Sequence, residues 1–435
     1  MKRRILSLLL LSVLLLLPIL GMSSCGPRVT RLYIYNWGEY MPLGADDSVN
    51  VLELFEEYYY EEYGERLEIV YSIFSSNEEM YAKLKNGSSK IDLIIPSDYM
   101  VERLIQEDAL APLDFENNIP HFENINERFH RPDYDPDGLY SVPYTYGLVG
   151  LIYNRDMVDL SDFEGIDENG EPYVRDDVSW RILWDDKYRG QILNFNNSRD
   201  AFGIPQFVLS YENGATSETD NYVNTGDRAR WDAALEMLRE QKPLVQAYVM
   251  DEVFNKMESG AAALAPYYAG DFYTMQEENE SLGLVYPKEG TNIFVDAFCV
   301  PKNTPPERKL AAERFIDFAL STSVTVGGEE YNIARDIAEY IYYATPNDAV
   351  ALDEEYELFE DEVLYPDLSD GSYPTYYYRN LDAETLNYAN SLWEELKIGS
   401  GGDTGVYIVT ALIVGGGIAL FLFLYIRKKK RAKYY

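Results

Sequence analysis

Short apolar segments alternate with helical segments along this chain, and the alternation restricts the fold more than any other feature. Strand-like segments at 31–37, 67–71 and 92–96 are separated by segments with helical patterns. A second set of this kind follows between 191 and 268. Such βαβ repetition predicts an α/β fold with a largely parallel sheet in each of two lobes. The long β-rich segments at 142–154 and 292–300 are typical of a chain that crosses between lobes.

The N-terminal segment, residues 1–25, has the pattern of a secretory signal. Basic residues at positions 2–4 precede an apolar run over 5–20, and small residues lead to Cys25. This order predicts a signal peptide. The residues around Cys25 resemble a bacterial lipobox, which implies cleavage before Cys25 and its lipidation. An ordinary signal peptide with an incidental cysteine is the alternative.

A second apolar run, residues 406–426, contains no charged residue. At 1.5 Å per helical residue it would span roughly 30 Å, the thickness of the bilayer core. The basic tail at 427–435 predicts a cytoplasmic C-terminus and places the body on the extracellular or periplasmic side. The sequence therefore predicts a transmembrane helix, a flexible linker at 399–405 and localisation at the cell membrane.

Charge and composition exclude several classes of function. The net charge is −37, and both ends are basic, so the body is more acidic still, which disfavours nucleic acid as a partner. His121 and His130 are the only histidines, so a histidine-rich metal site and a Ser-His-Asp triad are not expected. Cys299 lies in an apolar segment and is expected to be a buried thiol. We therefore predict a protein that is not an enzyme and needs no metal or other cofactor.

Aromatic residues stand beside acidic ones at the end of the first predicted strand. Trp37, Glu39 and Tyr40 follow this strand, and open α/β sheets bind ligands beyond the carboxyl ends of their strands. Carboxylates bind ammonium groups, and aromatic rings attract cations and cover methylene groups. The pattern indicates a site for an organic cation, although the two rings could equally belong to the core.

Several segments, in a constant order along the chain, resemble bacterial spermidine/putrescine-binding proteins. They are YIYNWGEYMP at 33–42, SNEEMYAKL at 76–84, DLIIPSDY at 92–99, SVPY at 141–144, SWRILW at 179–184, SRDAF at 198–202, YPKEG at 286–290 and ATPN at 344–347. The resemblance implies a two-lobed periplasmic-binding-protein type II fold with the ligand cleft between the lobes. It further implies capture of polyamines outside the cell membrane and delivery to the permease subunits of an ABC importer with a cytoplasmic ATPase.

The same resemblance implies the lobe boundaries and the ligand-binding residues. Lobe 1 would comprise 30–143 and 297–343, and lobe 2 would comprise 144–296 and 344–397. The implied ligand-binding residues are Trp37, Glu39, Tyr40, Ser97, Tyr99, Asn197, Asp200, Tyr268, Phe294, Asp296 and Tyr343.

Three of these positions depart from the family pattern. Asn197 stands where the family has a carboxylate, and Tyr268 and Phe294 stand where it has tryptophan. The choice between spermidine and putrescine therefore stays open. So does the alternative of another organic cation or a small amine-bearing ligand bound by the same fold.

Overall fold

A ten-stranded mixed sheet forms the framework of the computed structural model, which describes residues 29–398 apart from 46–47, 88, 218–219, 367 and 369–372. Its strands follow the order β2-β1-β3-β11-β4-β9-β7-β8, with β10 paired to β4 and β14 paired to β11. The strands are β1 (Val29–Trp37), β2 (Arg66–Phe74), β3 (Leu93–Ile94), β4 (Ser141–Asn154), β7 (Ile192–Phe195), β8 (Val245–Val249), β9 (Leu264–Tyr268), β10 (Leu282–Val285), β11 (Thr291–Cys299) and β14 (Thr375–Tyr377). Two small hairpins lie outside this sheet and consist of β5 (Glu164–Ile166) with β6 (Pro172–Val174), and β12 (Val324–Val326) with β13 (Glu329–Tyr331).

Helices follow most of the strands and cover the sheet. They are α1 (Val51–Tyr63), α2 (Asn77–Asn86), α3 (Asp98–Gln106), α4 (Phe115–Asn118), α5 (Ser198–Glu212), α6 (Arg228–Gln241), α7 (Glu252–Glu258), α8 (Ala269–Glu278), α9 (Pro306–Ala319), α10 (Ile333–Ile341), α11 (Asp348–Ala351) and α12 (Ala383–Ile398). The predicted α/β class is confirmed, since parallel strands alternate with helices in both halves of the sheet.

Two large hydrophobic cores divide the described residues. The first contains Leu32, Phe55 and Phe298, and the second contains Trp180, Phe202 and Trp231. We propose that these two cores mark two lobes, and we use lobe 1 and lobe 2 for the residues packed around each. Tyr144 and Phe294, which the predicted bounds placed in lobe 2, pack in the first core.

The long strand β4 passes from one core to the other. Its residue Tyr144 packs in the first core, whereas Val149 packs in the second. Strand β11 runs antiparallel to β4 and returns the chain to lobe 1, where Phe294 and Phe298 are buried. A pair of antiparallel strands therefore connects the lobes.

The fold class predicted from the sequence was wrong in one component, the C-terminal transmembrane helix. Among the residues that the structure describes, no helix is long and apolar enough to cross a membrane. The fold is accordingly corrected to the two-lobed α/β body. The predicted signal at 1–25, the linker, the apolar run at 406–426 and the basic tail all lie outside the described residues.

Candidate ligand-binding site

Two sets of three parallel strands, one set in each lobe, end at a cavity of about 410 Å³ between the lobes. Strands β1, β2 and β3 of lobe 1 are mutually parallel, as are β7, β8 and β9 of lobe 2. The segments that follow these strands supply most of the cavity wall. This position is the usual one for ligand binding in open α/β sheets.

All eleven residues predicted as ligand contacts line this cavity. They are Trp37, Glu39, Tyr40, Ser97, Tyr99, Asn197, Asp200, Tyr268, Phe294, Asp296 and Tyr343. The structure brings them together from both lobes and from the crossing strand β11.

Asp296 is the most enclosed of the predicted acids, with 3% of its surface exposed. A bulge between Asp296 and Ala297 shifts the register of β11 against β4, and bulges commonly re-aim a side chain towards a site. Oδ2 of Asp296 accepts a 2.6 Å hydrogen bond from the hydroxyl of Tyr40. Its other oxygen, Oδ1, is buried and accepts no hydrogen bond from the described residues. A buried acceptor of this kind is suited to a cationic donor that enters the cavity.

The backbone turn after β1 carries Tyr40 to this position. Glu39 in the turn has φ +49°, in the left-handed region that non-glycine residues rarely adopt. Trp37 is held by a 2.8 Å hydrogen bond from its indole nitrogen to the carbonyl oxygen of Ile95. Trp37 and Tyr40 are thus each held by a hydrogen bond, and all three predicted residues of this segment line the cavity.

Asp200 lies in the first turn of α5 and is held by two neighbours. The amide nitrogen of Asn197 donates to Oδ2 of Asp200 at 2.6 Å, and the hydroxyl of Tyr268 donates to the same oxygen at 2.9 Å. Asn197 also caps α5, because its Oδ1 accepts from the backbone nitrogen of Asp200 at 2.8 Å. Asn197 therefore orients the carboxylate beside it.

Ser97 is positioned by Asn77 rather than by its own helix. Asn77 accepts from the backbone nitrogen of Ser97 at 3.1 Å and donates to its hydroxyl at 3.0 Å. Ser76 caps α2, since its hydroxyl accepts a hydrogen bond from the backbone nitrogen of Glu79. Asn77 is thus a support for the cavity wall.

Aromatic rings form a continuous wall along the cavity. The ring of Phe294 lies 5.4 Å from that of Tyr268 and 6.0 Å from that of Tyr343, and Tyr343 lies 5.2 Å from Tyr40. A β-carbon at Gly270 would lie 2.4 Å from the Tyr343 ring, so glycine is required there for the ring to occupy this position. The faces of such rings attract cations and cover methylene groups.

All the charged side chains of the wall are acidic. Its carboxylates are those of Glu39, Glu78, Asp98, Asp200, Asp251, Glu258, Asp271 and Asp296, and no lysine, arginine or histidine is among the described residues that line it. Burial raises the pKa of Asp296 to about 6, although the neighbouring hydroxyls of Ser97 and Tyr40 lower it. Burial also raises the pKa of Asp271 to about 7, and the charges of Asp251, Glu39 and Asp296 raise it further. A cation in the cavity would relieve this mutual repulsion.

Reasoning from the sequence missed several acids of the wall. Asp251 follows β8 and Asp271 follows β9 by three residues, so the rule that ligands bind beyond strand ends could have identified both. Glu78 lies in α2 and accepts a 3.0 Å hydrogen bond from the predicted residue Tyr99. Among the described residues, no group of three or more His, Cys, Asp or Glu side chains could hold a metal ion.

The comparisons with known proteins agree with this architecture. The family model described as bacterial extracellular solute-binding protein matches residues 55–361. The spermidine/putrescine-binding periplasmic protein of Escherichia coli K12 is 30% identical over 350 residues, which cover 80% of this chain and 87% of that protein. The putrescine/cadaverine-binding protein of Pseudomonas aeruginosa is 25% identical over 89% of this chain and 99% of its own length.

A solved structure of a solute-binding protein is also similar to this chain. The spermidine/putrescine ABC transporter substrate-binding protein PotD of Streptococcus pneumoniae is 30% identical, with a TM-score of 0.63 over 85% of this chain and 99% of that one. The resemblance inferred from the sequence motifs is thus confirmed, as is the prediction that the protein is not an enzyme. This chain belongs to the bacterial extracellular solute-binding protein family.

Proposed function

We propose that this protein binds a linear polyamine, spermidine or putrescine, in the cavity between its lobes and delivers it to an ABC import permease. The observation that carries the proposal is the cavity wall of carboxylates and aromatic rings, in which the described residues include no basic side chain. Carboxylates would bind the ammonium groups, and the rings would cover the methylene groups between them, at ~0.8 kcal/mol for each buried CH₂. The names of the relatives in Escherichia coli and Streptococcus pneumoniae support the same ligands.

The eleven predicted residues are proposed as the ligand contacts, with Asp296 as the principal one. Asp200 belongs to lobe 2, Glu39 belongs to lobe 1, and Asp296 lies on the strand that connects them. A polyamine bound to all three would bridge the lobes and stabilise their closed arrangement. The closed form would then be the one that the permease recognises.

Calorimetric titration of the purified protein with putrescine and spermidine tests this function. We expect saturable binding of at least one of them, and a loss of at least tenfold in affinity for Asp296→Ala, because a charge-assisted contact contributes about 1.5–3 kcal/mol. Asp186→Ala is the matched control, since Asp186 is exposed and lies outside the cavity. Absence of binding, or equal affinities of the two variants, would contradict the proposal.

A second candidate ligand is another organic cation or small amine-bearing molecule. The observation that favours it is Asn197, which contributes an amide rather than a carboxylate and uses its nitrogen to bind Asp200. Mass spectrometry of the ligand that copurifies with the protein separates the two candidates. A polyamine-type permease and ATPase in the neighbouring reading frames would favour the first.

Attachment to the membrane is proposed through a lipid at the N-terminus. The relatives are named as periplasmic proteins, and the lipobox-like segment before Cys25 supports signal cleavage and lipidation at that residue. Metabolic labelling with palmitate should mark the wild-type protein and leave Cys25→Ala unlabelled. Equal labelling of both would contradict lipidation at Cys25.

A further inference from the structure

The cavity continues beyond the eleven predicted residues along helix α7. Met250, Asp251, Phe254, Asn255 and Glu258 all line this part of it. The last four have the spacing i, i+3, i+4 and i+7, which places them on one face of a helix.

The rest of α7 is fixed to the core of lobe 2. Val253 and Met257 are fully buried there. The helix therefore presents its other face to the cavity from a rigid support.

The chemistry of this face alternates along the helix axis. Asp251 and Glu258 are carboxylates separated by about 10 Å of helix, at 1.5 Å per residue. The ring of Phe254 lies between them in the sequence and lines the same wall. This order of an acid, an apolar ring and a second acid suits a linear ligand in which ammonium groups alternate with methylene segments.

Lobe 1 also contributes to the wall of this cavity. Ile73 and Ser75, at the end of β2, line it, and Ile73 is 54% exposed. Burial raises the pKa of Asp251, and the charges of Glu252, Glu79 and Glu39 raise it further. Since Glu39 belongs to lobe 1 and lines the same cavity, acids of both lobes contribute to its wall.

An independent observation at the inner end of the cavity points to a cation. Oδ1 of Asp296 and Oδ2 of Asp98 are buried, and neither accepts a hydrogen bond from the described residues. The two side chains are 3% and 2% exposed and line the same cavity as α7. A ligand that binds these two carboxylates and also contacts Asp251 and Glu258 would meet four acids of one cavity, which suits a molecule with several positive charges.

We propose that the cavity-facing side of α7 is an outer subsite, which binds the outer ammonium groups of a triamine or tetraamine and the methylenes between them. This inference rests on the proposed function and adds a preference to it: affinity increases from diamine to triamine to tetraamine. Asp251 and Glu258 bind the outer ammonium groups, and Phe254 covers the methylenes between them.

Calorimetry with putrescine, spermidine and spermine tests the subsite in the full-length protein. In Asp251→Asn and Glu258→Gln, we expect the affinity for spermidine and spermine to fall about tenfold, whereas the affinity for putrescine changes less than about twofold. Both substitutions preserve side-chain shape, and a thermal denaturation curve for each variant checks that it is folded. Glu240→Gln is the control, because Glu240 lies on α6, is exposed and does not line the cavity.

The outcomes separate the subsite from the proposed function. If Asp251→Asn and Glu258→Gln weaken the binding of all three ligands equally, or leave the binding of spermidine and spermine unchanged, the subsite is overturned. Polyamine binding as such would still stand. The subsite would also be overturned if the wild-type protein bound putrescine as tightly as it binds spermine. If the wild-type protein binds none of the three, the proposed function fails and the subsite fails with it.

Discussion

The hydroxyl of Tyr40 donates a 2.6 Å hydrogen bond to Oδ2 of Asp296, a residue 256 positions away in the sequence. The bond occupies one carboxylate oxygen and leaves Oδ1, which accepts no hydrogen bond from the described residues, for a ligand. Tyr40 also lowers the pKa of Asp296 against the effect of burial. Tyr40 therefore both orients this carboxylate and favours its charged form.

Removal of the Tyr40 hydroxyl should weaken ligand binding without unfolding the protein. For Tyr40→Phe we expect about fivefold lower affinity for spermidine, which corresponds to ~1 kcal/mol for one hydrogen bond. Tyr273→Phe is a matched control, because Tyr273 donates a similar 2.6 Å bond to Asp361 and does not line the cavity. Calorimetry should show reduced affinity in the first variant alone, and equal affinities would contradict the role of Tyr40.

Binding should depend on pH because two carboxyl groups of the cavity have raised pKa values, about 6 for Asp296 and about 7 for Asp271. Between about pH 4 and pH 7 the folded protein without ligand binds more protons at these groups than the unfolded chain does. Their contribution to the free energy of unfolding therefore falls as the pH rises through this window. A bound polyamine favours the charged carboxylates, so its stabilising effect should increase over the same range.

Thermal denaturation with and without spermidine, at about pH 5 and about pH 8, measures this dependence. The increase in Tm on adding spermidine should be larger at the higher pH. Asp271→Asn should reduce the difference between the two conditions, because one of the two titrating groups is removed. A larger increase at the lower pH would contradict the assignment.

The sequence was sufficient to predict the α/β class, and the residues predicted as ligand contacts line one cavity. Trp37, Ser97 and Tyr268 end or follow predicted strands, and the carboxyl ends of parallel strands necessarily meet at one edge. Glu258 was missed because its place in the cavity wall depends on which face of α7 points towards the cavity. That orientation is decided by the packing of Val253 and Met257, which local sequence does not specify.

One prediction from the sequence was wrong. The transmembrane helix was predicted from hydropathy over 406–426, whereas the described residues contain no such helix.

An ion pair between Arg379 and Glu102 connects the lobes on the side of α3. Two guanidinium nitrogens donate to the carboxylate at 3.1 and 3.0 Å, and the backbone nitrogen of Asn380 donates to it at 2.8 Å. The backbone nitrogen of Arg379 itself donates to Asn224, a residue of the lobe 2 side, at 2.9 Å. This network holds α3 of lobe 1 against lobe 2.

Arg379→Ala should therefore favour separation of the lobes. We expect threefold to tenfold lower affinity for spermidine, since the binding-competent closed form is less populated. Small-angle X-ray scattering of the ligand-free variant should show a larger radius of gyration. Arg181→Ala removes the exposed pair with Glu212 and should change neither quantity. An unchanged radius together with unchanged affinity for Arg379→Ala would contradict a role in closure.

Asn197→Asp tests how an additional carboxylate beside Asp200 alters the response to ligand. Aspartate keeps the cap of α5, since Asp and Asn are equivalent caps, but it cannot donate the 2.6 Å bond to Asp200.

Two adjacent carboxylates repel each other, so the ligand-free Asn197→Asp variant should unfold at a lower temperature than the wild type at neutral pH. Spermidine places positive charge beside both, and we expect it to raise the Tm of Asn197→Asp by more than it raises that of the wild type. Asn197→Ala, which loses the cap and adds no charge, should be destabilised without this larger gain. An equal gain in all three proteins would show that no ammonium group binds beside Asp200.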